Sequence, residues 1–283
     1  MRGLKKRFGT HEVLRTLDLE IAAGERVALI GQNGLGKTTL LRCLLGLYTG
    51  DGVLTVGGLD PRRDRREVLR FVGFVPQLPP GIRATVAQYL HVVTRLCEVT
   101  SAAIRDTCET LGLTIDDLAH KPFYALSGGM KQKLLIGVAL ARRPRLLILD
   151  EPAANLDPRA RGAFFEALSR LDESTTMLLT SHRVDELSGL VTRLVELDSG
   201  EVVLDDVVAA APALDRTLAC SLTLERIEPS VEKTLREWGL QPNSSDDSTW
   251  QGQVSAVDRF RFLALLTRWS GLVRAVRIEE SNP

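Results

Sequence analysis

The chain has 283 residues, 44% of them hydrophobic and 25% charged, with 36 basic and 36 acidic side chains and a formal net charge of zero. That is enough apolar mass for a sizeable core in one large domain or up to two smaller ones. The charge balance excludes a global field for nucleic acid or acidic membranes.

The N-terminus, "MRGLKKRFG", is basic but lacks the apolar run of a secretory signal. "RVALIG" (26–31) is an apolar run ending in glycine, followed at once by Leu40, Leu41, Leu44 and Leu45 at helical spacing. This predicts strand, tight loop, helix. "GVLTVGG" (52–58) alternates as a strand closed by a Gly-Gly turn, and "VGFVPQ" (72–77) is a short strand stopped by Pro76. From Thr85 onward apolar residues recur at three and four spacing, which predicts a helical insert over about 85–140. Its last helix covers 130–141. A strand at 145–150, a helix at 158–171, a strand at 175–181, a short helix and a strand pair turning at Ser199-Gly200 follow. Strands alternating with helices predict a largely parallel sheet covered on both faces.

Around 206–216, "DVVAAAPALDR" is small-residue-rich with a proline and is placed as a linker. Residues 217–283 then read as a small βαβαβ-like α+β domain, with Pro229 in the first turn of its first helix and Trp238, Trp250 and Trp269 as core. The four cysteines (Cys43, Cys97, Cys108, Cys220) form no CxxC pair and read as buried thiols of a reducing compartment rather than disulfides or metal ligands. A spanning helix needs about 20 apolar residues. The best stretches, "KLLIGVALA" and "FLALLTRWSGL", are shorter or broken by charge. The chain reads as cytoplasmic, with any membrane role exercised through a partner.

Two motifs carry chemistry on their own. Gly31-Gln32-Asn33-Gly34-Leu35-Gly36-Lys37-Thr38 fits the pattern GxxxxGK[ST], with Thr39 next in line. A phosphate chain is large and highly charged, so backbone N–H groups must come within hydrogen-bond range, and glycines permit that approach. The helix beginning near Lys37 points its positive end at the phosphates, Lys37 reaches their β/γ oxygens, and the Thr38 hydroxyl can ligate Mg²⁺. The second motif is "LLILDE" (146–151), a buried strand delivering two acids to its carboxyl edge, where open α/β sheets bind ligands. Asp150 is expected to orient Mg²⁺ or its water, and Glu151 to polarise the attacking water.

Between these motifs stands "ALSGGMKQKL" (125–134), whose Leu126-Ser127-Gly128-Gly129 resembles the signature of ATP-binding cassette (ABC) ATPases. With it, Gln77 resembles the Q-loop glutamine, "NLDP" (155–158) the D-loop with Asp157 as its acid, His182 in "TSH" the switch histidine, and Phe8 in "KRFG" the aromatic that stacks on adenine. The resemblance covers residues 1–205. It implies a P-loop NTPase core with an antiparallel β subdomain and a helical insert. Two cassettes are then expected to pack head to tail, each ATP lying between the phosphate loop of one and Ser127–Gly129 of the other. Gln77 would link Mg²⁺ to the insert and His182 would contact the γ-phosphate.

Four positions depart from the family pattern. Leu35 stands where a small residue is usual, Met130 replaces a common glutamine, and Asn155 precedes Leu156-Asp157 where a small residue is more usual. The family's first strand normally precedes "GLKKRFG", so either the start lies upstream or the antiparallel subdomain opens with a shortened strand. The tail resembles that of ATP-binding subunits of bacterial export systems, including drug exporters and the copper-processing transporter of nitrous oxide reductase, where dimerisation or regulation is its expected work. The resemblance thus implies an ATPase subunit of an ABC transporter, an exporter of the drug/lipid or copper type. It would act as a homodimer on a separate integral-membrane permease at the inner face of the membrane, with ATP and Mg²⁺ and without nucleic acid. The rival reading is a non-transport cassette ATPase working on ribosomes or DNA.

Overall fold

The computed structural model describes residues 1–32, 34–181, 187, 189–207, 217–226, 228–243, 246–255, 262, 266, 269 and 271–280. They divide into two compact units, the first running to residue 207 apart from 187 and 189, and the second built on 217–280.

The first unit is organised by β3 (Arg26–Ile30), whose Val27, Ala28 and Leu29 are fully buried. A strand buried on both faces belongs to the middle of a covered parallel sheet, which is where β3 lies. The described strands pair in the order β5 (Val72–Val75), β6 (Leu146–Asp150), β7 (Thr176–Thr180), β3, β8 (Arg193–Asp198), β9 (Glu201–Val207). All neighbours are parallel except β8 and β9, a hairpin turning at Ser199-Gly200, where both residues have positive φ. Because β3, β6 and β7 are adjacent, their carboxyl ends bring residues 31, 150–151 and 180 to one edge. A smaller antiparallel sheet joins β2 (His11–Leu17), β1 (Arg2–Phe8) and β4 (Asp51–Val53).

Helices α1 (Lys37–Leu44), α2 (Arg65–Phe71), α3 (Val86–Cys97), α4 (Ser101–Thr110), α5 (Gly128–Ala141) and α6 (Pro158–Ser169) complete this unit. In the insert, Thr85 and Gln88 form a reciprocal capping box on α3, and the Thr100 hydroxyl accepts from the Ala103 N–H to start α4. Helix α5 is apolar nearly all round, with Leu134 through Leu140 buried, as a helix wedged between elements must be. α4 reaches α5 closely because residue 137 is glycine, where an added Cβ would collide with Cys108 Sγ. Burial pushes the Cys108 thiol up to about 12 and Cys220 up to about 11, and all four cysteines are free, Cys97 half-exposed and the others buried. Such thiols pack as small apolar groups.

The strand expected over 52–58 is shorter. Only residues 51–53 pair with β1, and Val56 makes an isolated bridge to Leu59. Helix α2 and strand β2 carry too little apolar pattern to be read from sequence; α2 buries only Val68.

The second unit contains β10 (Thr217–Leu224), α7 (Pro229–Glu237), β11 (Gln241–Asn243), β12 (Asp246–Ser255) and β13 (Val273–Glu280), paired antiparallel in the order β11-β12-β10-β13. That order is the split β-α-β arrangement of ferredoxin-like folds. Of the loop expected over 243–249, residues 246–249 instead belong to β12, and Asn243 pairs with Asp246. Trp250, Phe262 and Leu266 are buried with Leu222 and Leu235, while Trp238 and Trp269 pack half-buried against them. Most of the helix expected between β12 and β13 lies outside the described residues.

Candidate active site

The phosphate loop leaves β3 at Gly31 and enters α1 at Lys37. Two of its glycines are required by contact and by conformation. Gly31 has φ 135°, and a Cβ there would strike the Leu197 carbonyl. Gly36 has φ 104°, and its Cβ would lie 2.9 Å from Leu14 Cδ2 and 3.0 Å from the Val13 carbonyl. Gly34 faces open space, Gln32 is exposed, and Leu35, Thr38 and Thr39 are half-buried; Asn33 lies outside the described residues.

Lys37 is only 6% exposed, and its Nζ donates to the carbonyls of Gly31 (2.6 Å) and Gln32 (2.9 Å). The ammonium is thus held inside the loop that it serves. Burial lowers its pKa, and the negative charges of Glu151 and Asp150 oppose that shift. A phosphate anion arriving in the loop adds to their side of this balance.

Asp150 ends β6 and is 2% exposed; Glu151 follows it at 7%. Glu151 has φ 46°, in the left-handed region that a branched-free acid tolerates only at a cost, and such conformations concentrate at functional sites. The fully buried Thr180, at the end of the neighbouring β7, holds the pair. Its hydroxyl donates to Asp150 Oδ1 (2.8 Å) and accepts from the Glu151 N–H (2.8 Å). Sequence reasoning passed over Thr180, although a polar residue closing the buried run "MLLT" beside "LLILDE" was a usable signal. Thr180→Val keeps the shape and removes both bonds. It is expected to lower stability by about 1–3 kcal/mol in denaturant unfolding, and to slow hydrolysis at saturating ATP by roughly 10- to 100-fold through misplacement of Glu151.

Gln77 is exposed two residues past the end of β5, the strand beside the one that carries the acids. Phe8 ends β1 at 43% exposure and meets Tyr48 edge to face with ring centroids 5.2 Å apart, beneath the Lys6 ammonium. Tyr48 is an aromatic neighbour that the sequence did not single out. Ser127 and Gly128 stand exposed at the start of α5, and the Ser127 hydroxyl accepts from the Met130 N–H as the helix cap. Asp157 caps α6 through Ala160 (2.9 Å) and pairs with Lys133 Nζ of α5 at 2.9 Å; these bonds hold its carboxyl below the usual range. His182 lies outside the described residues. Among the described residues no cluster of His, Cys, Asp or Glu forms a ready metal cage, and no helix is long and apolar enough to cross a membrane.

The structure therefore brings Lys37, Asp150 and Glu151 to one sheet edge, where Asp150 and Glu151 share the field at the Lys37 ammonium. Ser127–Gly129 open α5 beside the segment that follows β6, with Gly129 against the Asn155 carbonyl, and among the described residues no hydrogen bond or ion pair joins them to the phosphate loop. A glycine loop at the central strand of a parallel sheet, with an acid pair beside it, defines a P-loop nucleoside triphosphatase.

Residues 14–154 match the family described as ABC transporter. A Nod factor export ATP-binding protein I of Cupriavidus metallidurans is 38% identical over 213 residues, 72% of this chain and 69% of that protein. One from Ralstonia nicotianae is 36% identical over 257 residues, 82% and 78% of the two chains. An aliphatic sulfonates import ATP-binding protein of Xanthomonas axonopodis is 36% identical over 72% of this chain and 69% of that protein. A solved ATP-binding subunit of an ABC transporter superposes with TM-score 0.66 at 25% identity, covering 73% of this chain and 88% of that one. A dimeric post-hydrolysis ATP-binding cassette with ADP and phosphate shares the fold, with TM-score 0.63 at 22% identity over 73% and 97% of the chains. The chain belongs to the ATP-binding proteins of the ABC transporter family: it binds ATP and is an ATPase.

Proposed function

We propose that the chain powers a separate integral-membrane permease from the cytoplasmic face, as a homodimer with two composite ATP sites, and that the transporter is an exporter of the drug/lipid or copper-processing type. The observation that carries the composite site is the exposed start of α5 at Ser127 and Gly128, a helix N-terminus suited to an anion that, among the described residues, no hydrogen bond ties to its own phosphate loop. A second copy turned head to tail supplies the missing half.

Within each site, Lys37 and the loop N–H groups of residues 31–39 hold the phosphates, Phe8 stacks on the base, and Glu151 takes a proton from the attacking water. His182 contacts the γ-phosphate, and Gln77 links Mg²⁺ to the helical insert. Thr38, Gln77 and Asp150 offer a hydroxyl, an amide carbonyl and a carboxylate, an all-oxygen set that fits Mg²⁺. When bound, that ion supplies charge neutralisation for the β- and γ-phosphates.

Two further observations support the permease and the direction. Leu78, immediately after Gln77, is 78% exposed, and Val92 and Leu96, one turn apart on α3, are exposed as well. Large apolar side chains in water at the insert suit an apolar docking partner. The two relatives aligned over 82% and 90% of the chain are both export proteins, while other export proteins align over 71–72%, as the import proteins do. A tagged chain purified from detergent-solubilised membranes is expected to carry a polytopic protein with it. Pelleting with ribosomes at low salt and absence from membranes would instead favour the non-transport reading.

A further inference from the structure

Gln132, in the second turn of α5, is fully buried, an unusual place for a glutamine. Its Nε2 donates to the Pro152 carbonyl at 3.1 Å and reaches the Pro76 carbonyl at 3.5 Å. Both acceptors adjoin residues of the site: Pro76 precedes Gln77, and Pro152 follows Glu151. Both lie just past the ends of their strands, since β5 stops at Val75 and β6 at Asp150, so no sheet ladder holds either carbonyl. One side-chain amide therefore spans the two loops on which the glutamine and the catalytic acid sit. Its Oε1 is buried without a partner among the described residues. A polar atom kept in that state is a cost to folding, and a site that tolerates the cost is one where the group does something else.

Two neighbouring contacts tighten the same joint. Lys133, the next residue, pairs with Asp157 at 2.9 Å, and Gly129 approaches the Asn155 carbonyl so closely that an added Cβ would lie 3.0 Å from it. Helix α5 thus grips the segment from Glu151 to Asp157 at its beginning, middle and end. The helix is stiff, and it opens at the exposed Ser127 and Gly128.

We propose that Gln132 is a positioning residue that sets the relation of Glu151 to Gln77 according to where the first turn of α5 stands. The reading rests on the proposal that this turn meets the nucleotide of a second copy. When the partner's phosphates draw in the first turn, the Gln132 amide moves with it and carries the Pro152 and Pro76 carbonyls. The two catalytic loops then come into register only in the closed dimer, which restrains hydrolysis in the open one. Without the amide, the dimer still closes but the loops are no longer registered, and a displacement of about 1 Å is enough to cost on the order of 100-fold in rate.

The test is Gln132→Met, which keeps the side-chain length and volume and removes the donor. Steady-state ATPase rates are expected to fall about 10- to 100-fold in kcat, with the KM for ATP within about threefold and the unfolding midpoint near wild type. Gln132→Asn, which retains an amide one methylene shorter, is expected to lie between the two and serves if the methionine variant folds poorly. In a Glu151→Gln background, ATP should still drive dimer formation with either substitution at 132. A kcat within twofold of wild type, or kcat and KM changing in proportion with the unfolding midpoint, overturns the proposal. Failure of Glu151→Gln alone to dimerise with ATP overturns the two-copy reading beneath it, which separates the two failures.

Discussion

Glu151→Gln is expected to lower steady-state ATP hydrolysis by roughly 10²–10⁴-fold while ATP still binds. Glutamine has the same length and keeps the backbone N–H that donates to Thr180, so the left-handed turn after β6 stays anchored. What is lost is the proton acceptor. The change also removes one of the two negative charges that favour the protonated Lys37, but Asp150 remains, so the phosphate loop keeps its cation. With binding intact and chemistry stalled, the ATP-bound dimer accumulates. Nucleotide binding, turnover and size-exclusion chromatography on one preparation check all three statements. Hydrolysis near the wild-type rate would remove Glu151 as the base.

Gly128→Asp is expected to abolish ATP-driven dimer formation and turnover, yet to leave ATP bound to the single chain. The position is free of local constraint, because a Cβ at Gly128 meets nothing within 4 Å and the residue is exposed at the start of α5. Folding therefore gives no reason for an effect. The effect comes from what docks there: a carboxylate at the helix start cancels the positive end of the dipole and repels a γ-phosphate. The same substitution on a chain whose site were complete within itself at β3 would be close to silent.

Much of the placement of this site is legible in the sequence. The loop from Gly31 to Thr38 is a local pattern with a strand before and a helix after, so its place is written in consecutive residues. The same holds for Asp150-Glu151 at the end of an apolar run, whereas the helix expected from 130 starts at Gly128 with Ser127 as its cap. Thr180 and Gln132 were not legible in that way. Their roles depend on which strand lies beside β6 and on which loops α5 passes, and those are facts of pairing between residues 29 and 56 positions apart. Helix α2 and strand β2 escaped for a different reason, since short elements with few buried residues leave little periodicity to read. In the second unit, the strands β10, β12 and β13 carry clear β-type runs, whereas the three-residue β11 exists only because β12 offers it an edge.

The central claim, that each ATP site is shared between two copies, is tested most directly by mixing two inactive chains. Lys37→Ala disables the phosphate loop and spares the signature; Gly128→Asp does the reverse. In a mixed dimer, the intact loop of one chain faces the intact signature of the other, so one of the two sites is whole. Because neither variant closes with its own kind, mixed pairs are expected to form preferentially and to restore up to about half of wild-type ATPase activity, one site of two being whole in each two-fold pair. A mixture as inactive as its components, under conditions where labelled chains are shown to exchange, would contradict the shared site.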